Sequence, residues 1–284
     1  MSADDNLRER FRAAASEERV DLALLCLLIG TMLDPEGGGS TVDEAQRELD
    51  RLAGELPADL PGRGGGPSAP HAWAEALREL LGERHGFHGR QDDYRRLDSS
   101  LLQVVLRRRR GLPILLSVVW MEVARRAGGR VHGVALPGHF VVGFGDPAGR
   151  HVLADPFTGG TLLTERDAAG LVARATGSRA PAAVTPRAAG PLDIVLRVLN
   201  NIRAWAAARP EQSAVALRAL DLSLLLPHHP ARLRLERARL LVERGAFTAG
   251  ARALEEYAEI VAGVEPRTAE TVRNEARAAR ARLN

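Results

Sequence analysis

Two short fragments hold the residues best suited to chemistry, Leu136-Pro137-Gly138-His139-Phe140 and Leu153-Ala154-Asp155-Pro156-Phe157. They flank Asp146-Pro147-Ala148-Gly149, whose residue types favour a tight turn. A hairpin centred on Pro147 sets His139 opposite Asp155, and the pleat of a strand then puts both side chains on one face. Phe140, Val142 and Phe144 point the other way, against Val152 and Ala154. A histidine beside a carboxylate is the oriented base of a nucleophilic triad. The carboxylate selects the imidazole tautomer and stabilises its cation. Two such residues standing alone are more simply read as a structural pair that closes a hairpin.

A triad also needs a nucleophile. Cys26 is the single cysteine, and it sits in Leu24-Leu25-Cys26-Leu27-Leu28, where a buried thiol is usually inert packing. Ser117 is the candidate serine. It lies one turn into a predicted helix opened by Pro113 and shares a face with that proline. Its plainer role is a hydrogen bond to the carbonyl one turn back. Ser99 and Ser100 have less support, and Ser99 suits the cap of a helix starting near Leu101. One cysteine allows neither an intrachain disulfide nor a thiolate zinc cluster. His85, His88, His132 and His151 have no metal-ligand spacing. A His132–His139–Asp155 metal site would need an open coordination geometry that a sequence does not show. No metal and no cofactor are therefore expected.

The elements that must position these residues follow from periodicity. Residues 6–33 read as one or two helices, with Leu22, Leu25, Leu28 and Ile29 near the helical period. Residues 42–56 continue as helix, a Pro/Gly-rich stretch occupies 57–70, and another helix covers about 72–81. Residues 98–110 are helical with an Arg-rich end. Gly111-Leu112-Pro113 breaks that helix and opens the next over 114–127, because proline is tolerated in a first turn. Gly128-Gly129 ends it. Three short β-prone runs follow, at 131–136, 140–144 and 151–154. After a Pro/Ala/Gly-rich connection at 177–191 the chain is wholly helical. There Leu217, Leu220 and Ser223 are matched by Ala251, Leu254 and Tyr257, and Asp221 by Glu255, at the tetratricopeptide spacing of about 34 residues. A plain helical hairpin bundle is the alternative. His228-His229 falls between two prolines, in an interhelix turn.

Composition limits the rest. The chain has 284 residues and 45% hydrophobic residues, enough for a buried core. Its 39 basic residues are all arginine, interspersed with 36 acidic ones for a net charge of +3. That balance does not make a polyanion-binding surface. The run Arg107–Arg110 reads as a solvated helix end favoured by the helix dipole, and nucleic acid is not an expected partner. No apolar run near the N-terminus reaches the roughly 20 residues needed to span a bilayer, so a cytoplasmic protein is expected.

Taken together, Gly111-Leu112-Pro113-Ile114 through Arg125-Arg126-Ala127-Gly128, then PGHF at 137–140 and DPFTGG at 155–160, resemble the transglutaminase-like core family. More narrowly they are similar to its bacterial invasion-regulator B branch, in which such a core precedes tetratricopeptide-like helices. Tyr94, Ser99, Leu101 and Val104 fit that branch, while Asp98 stands where an asparagine is expected. The resemblance implies an α+β fold: a papain/transglutaminase-like core of helices and a small antiparallel sheet, then an all-α tetratricopeptide-like segment. The expected division is 1–56 as an N-terminal helical part of the core, 57–71 as a linker or loop, 72–176 as the core proper, 177–191 as a second linker and 192–284 as the repeat region.

The resemblance also assigns His139 and Asp155 as the triad base and its carboxylate. It does not supply the cysteine: Gly111-Leu112-Pro113 stands where active members have Gly-x-Cys opening the helix. The expectation is a non-catalytic, regulatory protein that binds a protein partner through its C-terminal helices and core cleft. The alternative is a hydrolase or acyl transferase using the His–Asp pair with Ser117 or an activated water.

Overall fold

The computed structural model describes residues 3–34, 41–62, 69–177 and 187–282. Parts of both expected linkers, residues 63–68 and 178–186, lie outside the described residues. The fold is α+β. Among the described residues there are twelve α-helices and one five-stranded antiparallel sheet. The described residues form two compact units, one within Arg19–Val198 and one within Met1–Glu18 together with Leu199–Asn284.

The N-terminal stretch forms two helices, α1 (Ala3–Ala15) and α2 (Leu22–Leu33). α1, expected with the core, belongs to the second unit. α2 is apolar nearly all round and is a central core helix, with Leu25, Leu28 and Ile29 fully buried. Burying each such side chain contributes about 1.5–3 kcal/mol. Asp21 caps α2 by accepting from the Leu24 N–H at 2.8 Å. α3 (Val42–Gly54) opens with a capping box between Thr41 and Glu44. α4 (Pro70–Leu77) runs into a π-helical stretch, Arg78–Arg84. Two short 3₁₀ turns, Gln91–Arg95 and Leu97–Ser100, lead to α5 (Leu102–Arg108). The helix expected over 98–110 is thus shorter. It stops at Arg109, which takes the left-handed conformation with φ 58°.

α6 (Pro113–Arg126) has Pro113 at its first position, where the missing N–H costs nothing. Every residue from Pro113 to Ala124 is buried, because α2, α3 and α5 pack on this helix and it in turn packs on the sheet. The sheet strands are β1 (Val131–Leu136), β2 (His139–Gly145), β3 (His151–Asp155), β4 (Thr161–Leu163) and, late in the chain, β5 (Ala188–Ala189), in the order β4-β3-β2-β1-β5. β4 and β5 are too short to show a two-residue alternation, so only three strands were legible in the sequence. α7 (Glu165–Thr176), capped by Thr164 and Asp167, covers one sheet face. Its Ala168 and Val172 pack on Val134, Leu136, Val141 and Leu153.

α8 (Pro191–Ala207) begins in the first unit and ends in the second. The second unit continues with α9 (Ser213–Leu225), α10 (Arg232–Glu243), α11 (Phe247–Val261) and α12 (Pro266–Ala281). Ser213 to Phe247 and Arg232 to Pro266 are both steps of 34 positions, so α9–α10 and α11–α12 are successive helical hairpins of tetratricopeptide length. Small residues let them pack closely: Ala238, Ala258, Ala269 and Ala276 interleave with Leu254 and Val272. A Cβ on Gly250 would lie 2.5 Å from the Val242 side chain, so α10 and α11 meet where only glycine fits. α1 joins this unit through Arg8, 3.6 Å from Asp221.

Candidate functional site

β2 begins at a two-residue hairpin in which Pro137 and Gly138 (φ 70°) supply the residue types of a type II turn. His139 is the first residue after it. Asp155 is the last residue of β3. Their strands pair Val142 with Ala154 and Gly145 with His151, whereas a hairpin centred on Pro147 would pair Val142 with Val152. The observed register is therefore moved along by an even step. An odd step would have reversed the face, but an even one keeps both side chains together. His139 and Asp155 meet diagonally across the strands rather than head-on, with Nε2 of His139 3.0 Å from Oδ1 of Asp155.

Asp155 is held from three directions. Its Oδ1 also accepts the Phe157 N–H at 3.0 Å, so the carboxylate caps the 3₁₀ turn Pro156–Thr158. Its backbone carbonyl accepts from the Gly160 N–H at 2.8 Å and from the Thr158 hydroxyl at 3.1 Å. The side chain is 2% exposed, against 10% for His139. A carboxylate can only accept, so Nε2 carries the proton of the neutral imidazole and Nδ1 carries the lone pair. The ring of Phe157 stands edge-on to His139 at 5.9 Å and to Tyr94 at 6.0 Å. Tyr94 is 43% exposed and forms the outer rim, while its own partial burial and then nearby Asp155 push its phenol pKa up.

Arg197, on α8, locks the hairpin from behind. Its guanidinium donates to the carbonyls of Leu136 at 2.9 Å and His139 at 2.8 Å and lies over the Phe140 ring. Burial lowers its pKa. Sequence reading missed this residue, although an arginine among Ile194, Val195, Val198 and Leu199 is itself an anomaly on an apolar helix face.

The start of α6 comes to the same place. The Gly89 N–H donates to the Phe157 carbonyl at 2.9 Å, and a Cβ on Gly89 would lie 2.0 Å from the Phe157 ring and 2.9 Å from the Gly111 carbonyl oxygen. Gly89 thus lies between the Phe157 ring and the Gly111 carbonyl, two residues before Pro113, and α6 packs on the Pro156–Thr158 turn. Pro113 provides no nucleophile there. Ser117 is fully buried, and its hydroxyl donates to the Phe140 carbonyl at 3.4 Å. It bonds neither His139 nor the carbonyl one turn back, the two partners read from the sequence. Ser99 donates to Asp93 at 3.3 Å, and its carbonyl accepts the Leu112 N–H at 2.9 Å, so it braces the approach to α6 instead of capping α5. The Cys26 thiol is buried and its pKa is pushed far up, chiefly by desolvation and further by Glu122 and Asp21. Among the described residues, no group of three or more His, Cys, Asp or Glu could hold a metal ion. None of their helices is long and apolar enough to cross a membrane.

A single contact controls the loop behind Asp155. A Cβ on Gly82, in the π-helical stretch, would fall 1.9 Å from the Gly159 carbonyl oxygen. In a free helix alanine is favoured over glycine by about 1 kcal/mol. Here the obstacle is backbone and cannot swing aside. We expect Gly82→Ala to destabilise the protein by about 2 kcal/mol in chemical denaturation. A stabilised variant would mean that the 155–160 loop is not seated on this helix.

Residues 43–200 match the model described as the transglutaminase-like superfamily, and residues 202–284 match a tetratricopeptide repeat. The chain belongs to the transglutaminase-like superfamily. Similar proteins include one called UPF0162 protein from Xylella fastidiosa, 35% identical over 56% of this chain and 58% of that protein. Another UPF0162 protein, from Pseudomonas aeruginosa, is 34% identical over 63% of this chain and 64% of its own length. The match thus spans less than two thirds of either relative. Among solved structures, menin aligns with a TM-score of 0.45 and 14% identity, over 98% of this chain and 69% of menin. In this transglutaminase-like chain His139 and Asp155 stand together, and Pro113 occupies the first turn of α6.

Proposed function

We propose that this protein is a non-catalytic transglutaminase-like protein that acts as a regulatory scaffold of the invasion-regulator B type. In this reading the core cleft and the tetratricopeptide helices hold a protein partner in the cytoplasm. The observation that carries it is Pro113 at the first turn of α6, a helix that packs on the Pro156–Thr158 turn whose Phe157 ring stands edge-on to His139. The nearest hydroxyl on that helix face is spent on the Phe140 carbonyl, and the only thiol is buried. His139 and Asp155 then serve as a polar wall of the cleft. Tetratricopeptide repeats generally bind proteins, which supports the partner.

One observation favours a second reading. The Nδ1 lone pair of His139 is turned away from Asp155 and could activate a water for hydrolysis of an ester or amide. Turnover of chromogenic ester and amide substrates by the purified full chain separates the two. The scaffold reading expects rates equal to those of His139→Ala and of buffer. Turnover that His139→Ala abolishes would establish a hydrolase, and loss in Ser117→Ala as well would restore the serine.

A further inference from the structure

The second unit contains a groove of about 840 Å³ between the end of α8, α9 and α10. Its cations are Arg203, Arg209, Arg232, Arg239 and Arg244, against two acids, Glu236 and Glu243. Their mutual pairing leaves positive charge over. Arg203 is bound in two-pronged fashion by Glu236, and Arg239 by Glu275 outside the groove. Arg244 donates to the Ser213 hydroxyl and Arg232 makes no side-chain hydrogen bond or ion pair, so neither meets a carboxylate among the described residues. Both are exposed at the edges of α10. Beneath them the half-buried Ala216, Leu235 and Leu240, backed by the almost fully buried Ala206 and Leu220, make the floor apolar.

An exposed cationic rim over an apolar floor selects against several ligands. A nucleic acid needs planar side chains to stack its bases, and no aromatic residue lines this groove. A small anion gains nothing from the floor. A peptide gains from both, since guanidinium forks take carboxylates while an apolar side chain covers the alanine and leucines.

We propose that this groove takes a short acidic peptide segment of a protein partner, with its carboxylates on Arg232 and Arg244 and an apolar side chain over Leu235 and Leu240. The proposal rests on the scaffold reading above and names the chemistry of its partner. The segment is held by charge at the rim, so affinity falls steeply with salt.

The test uses the full chain and short random peptides displayed on phage. Selected peptides are resynthesised with a fluorophore and measured by anisotropy against wild type, the double variant Arg232→Glu/Arg244→Glu and the control Arg252→Glu, which lies outside the groove. All three substitutions are at exposed positions, and circular dichroism checks the fold. The expected peptides are rich in Asp and Glu with interspersed Leu or Phe. Their binding should weaken about tenfold or more in the double variant and remain unchanged in the control. Selected peptides without acidic excess, or equal binding to the double variant, would overturn the proposal. So would a single-stranded oligonucleotide that binds more tightly and depends on the same arginines. Ester and amide turnover is measured on the same preparations. Turnover overturns the scaffold reading, whereas failed peptide binding without turnover removes only the groove assignment.

Discussion

Pro113→Cys should give this protein a reactive thiol that depends on His139. The new sulfur would sit in the first turn of α6, the helix that packs on the Pro156–Thr158 turn, with the helix dipole behind it and the Nδ1 lone pair of His139 available. Both features lower a thiol pKa from its usual value of about 8.5 toward roughly 6. At pH 6 that raises the thiolate fraction by about two orders of magnitude. The lower basicity of the anion returns part of the gain, leaving alkylation by iodoacetamide about tenfold faster than for free cysteine. Replacing Pro113 costs little fold stability, because many residues suit a first helical turn. The native chain is its own control: Cys26 is buried and its thiol pKa is pushed far up, so it should stay unlabelled. Adding His139→Ala should remove most of the acceleration. Equal rates with and without His139 would mean that the helix start and the His–Asp pair do not face each other.

The second large effect is on stability. Asp93→Ala should cost about 3 kcal/mol in urea denaturation, several times more than most surface changes. The Asp93 side chain is completely buried. It accepts the Arg90 N–H at 2.8 Å, the Ser99 hydroxyl at 3.3 Å and Arg110 at 3.1 Å, with Arg108 at 3.9 Å. Removing it strands the Arg110 guanidinium in a site with little water and leaves Arg108 with only Asp98, 3.6 Å away, among the described residues. It also frees Ser99, whose carbonyl holds the Leu112 N–H at the entry to α6. The same variant should therefore slow thiol alkylation in the Pro113→Cys background. A loss below about 0.5 kcal/mol, within the range of ordinary surface changes, would show that water readily replaces the carboxylate.

These contacts explain the arginine run. Arg108 and Arg110 turn to Asp93, while Arg109 donates to Glu48 at 2.6 Å and lies over the Phe87 ring. Hydrogen bonds from Arg51 and Arg109 hold the Glu48 carboxyl down at about 2, against the opposing effect of partial burial. Sequence reading expected a solvated helix end. Charge type is visible in a sequence, but its partners lie tens of residues away, and only the folded chain shows that Arg108, Arg109 and Arg110 are committed to ion pairs within the core unit.

The same division holds for the site. Local chemistry made several features legible: proline at the first turn of α6, glycines after it, the turn at 146–149 and the alternation of β1, β2 and β3. Pleat parity alone put His139 and Asp155 on one face, and parity survives any even change of register. The register itself, and hence the diagonal geometry of the pair, was decided by how β2 and β3 pack. The seat of Phe157 between Gly89 and His139 and the guanidinium clamp of Arg197 depend on elements brought together from distant parts of the chain. So does the Ser117 hydroxyl bond: periodicity shows which side of a helix a residue occupies, not which strand will lie against it. The sequence by itself determined the order of the elements and the proline that opens α6, because both follow from residue type and near neighbours. Tertiary structure decided which groups are spent, which are braced and which remain available, because hydrogen bonds and desolvation are settled only when distant segments exclude water together.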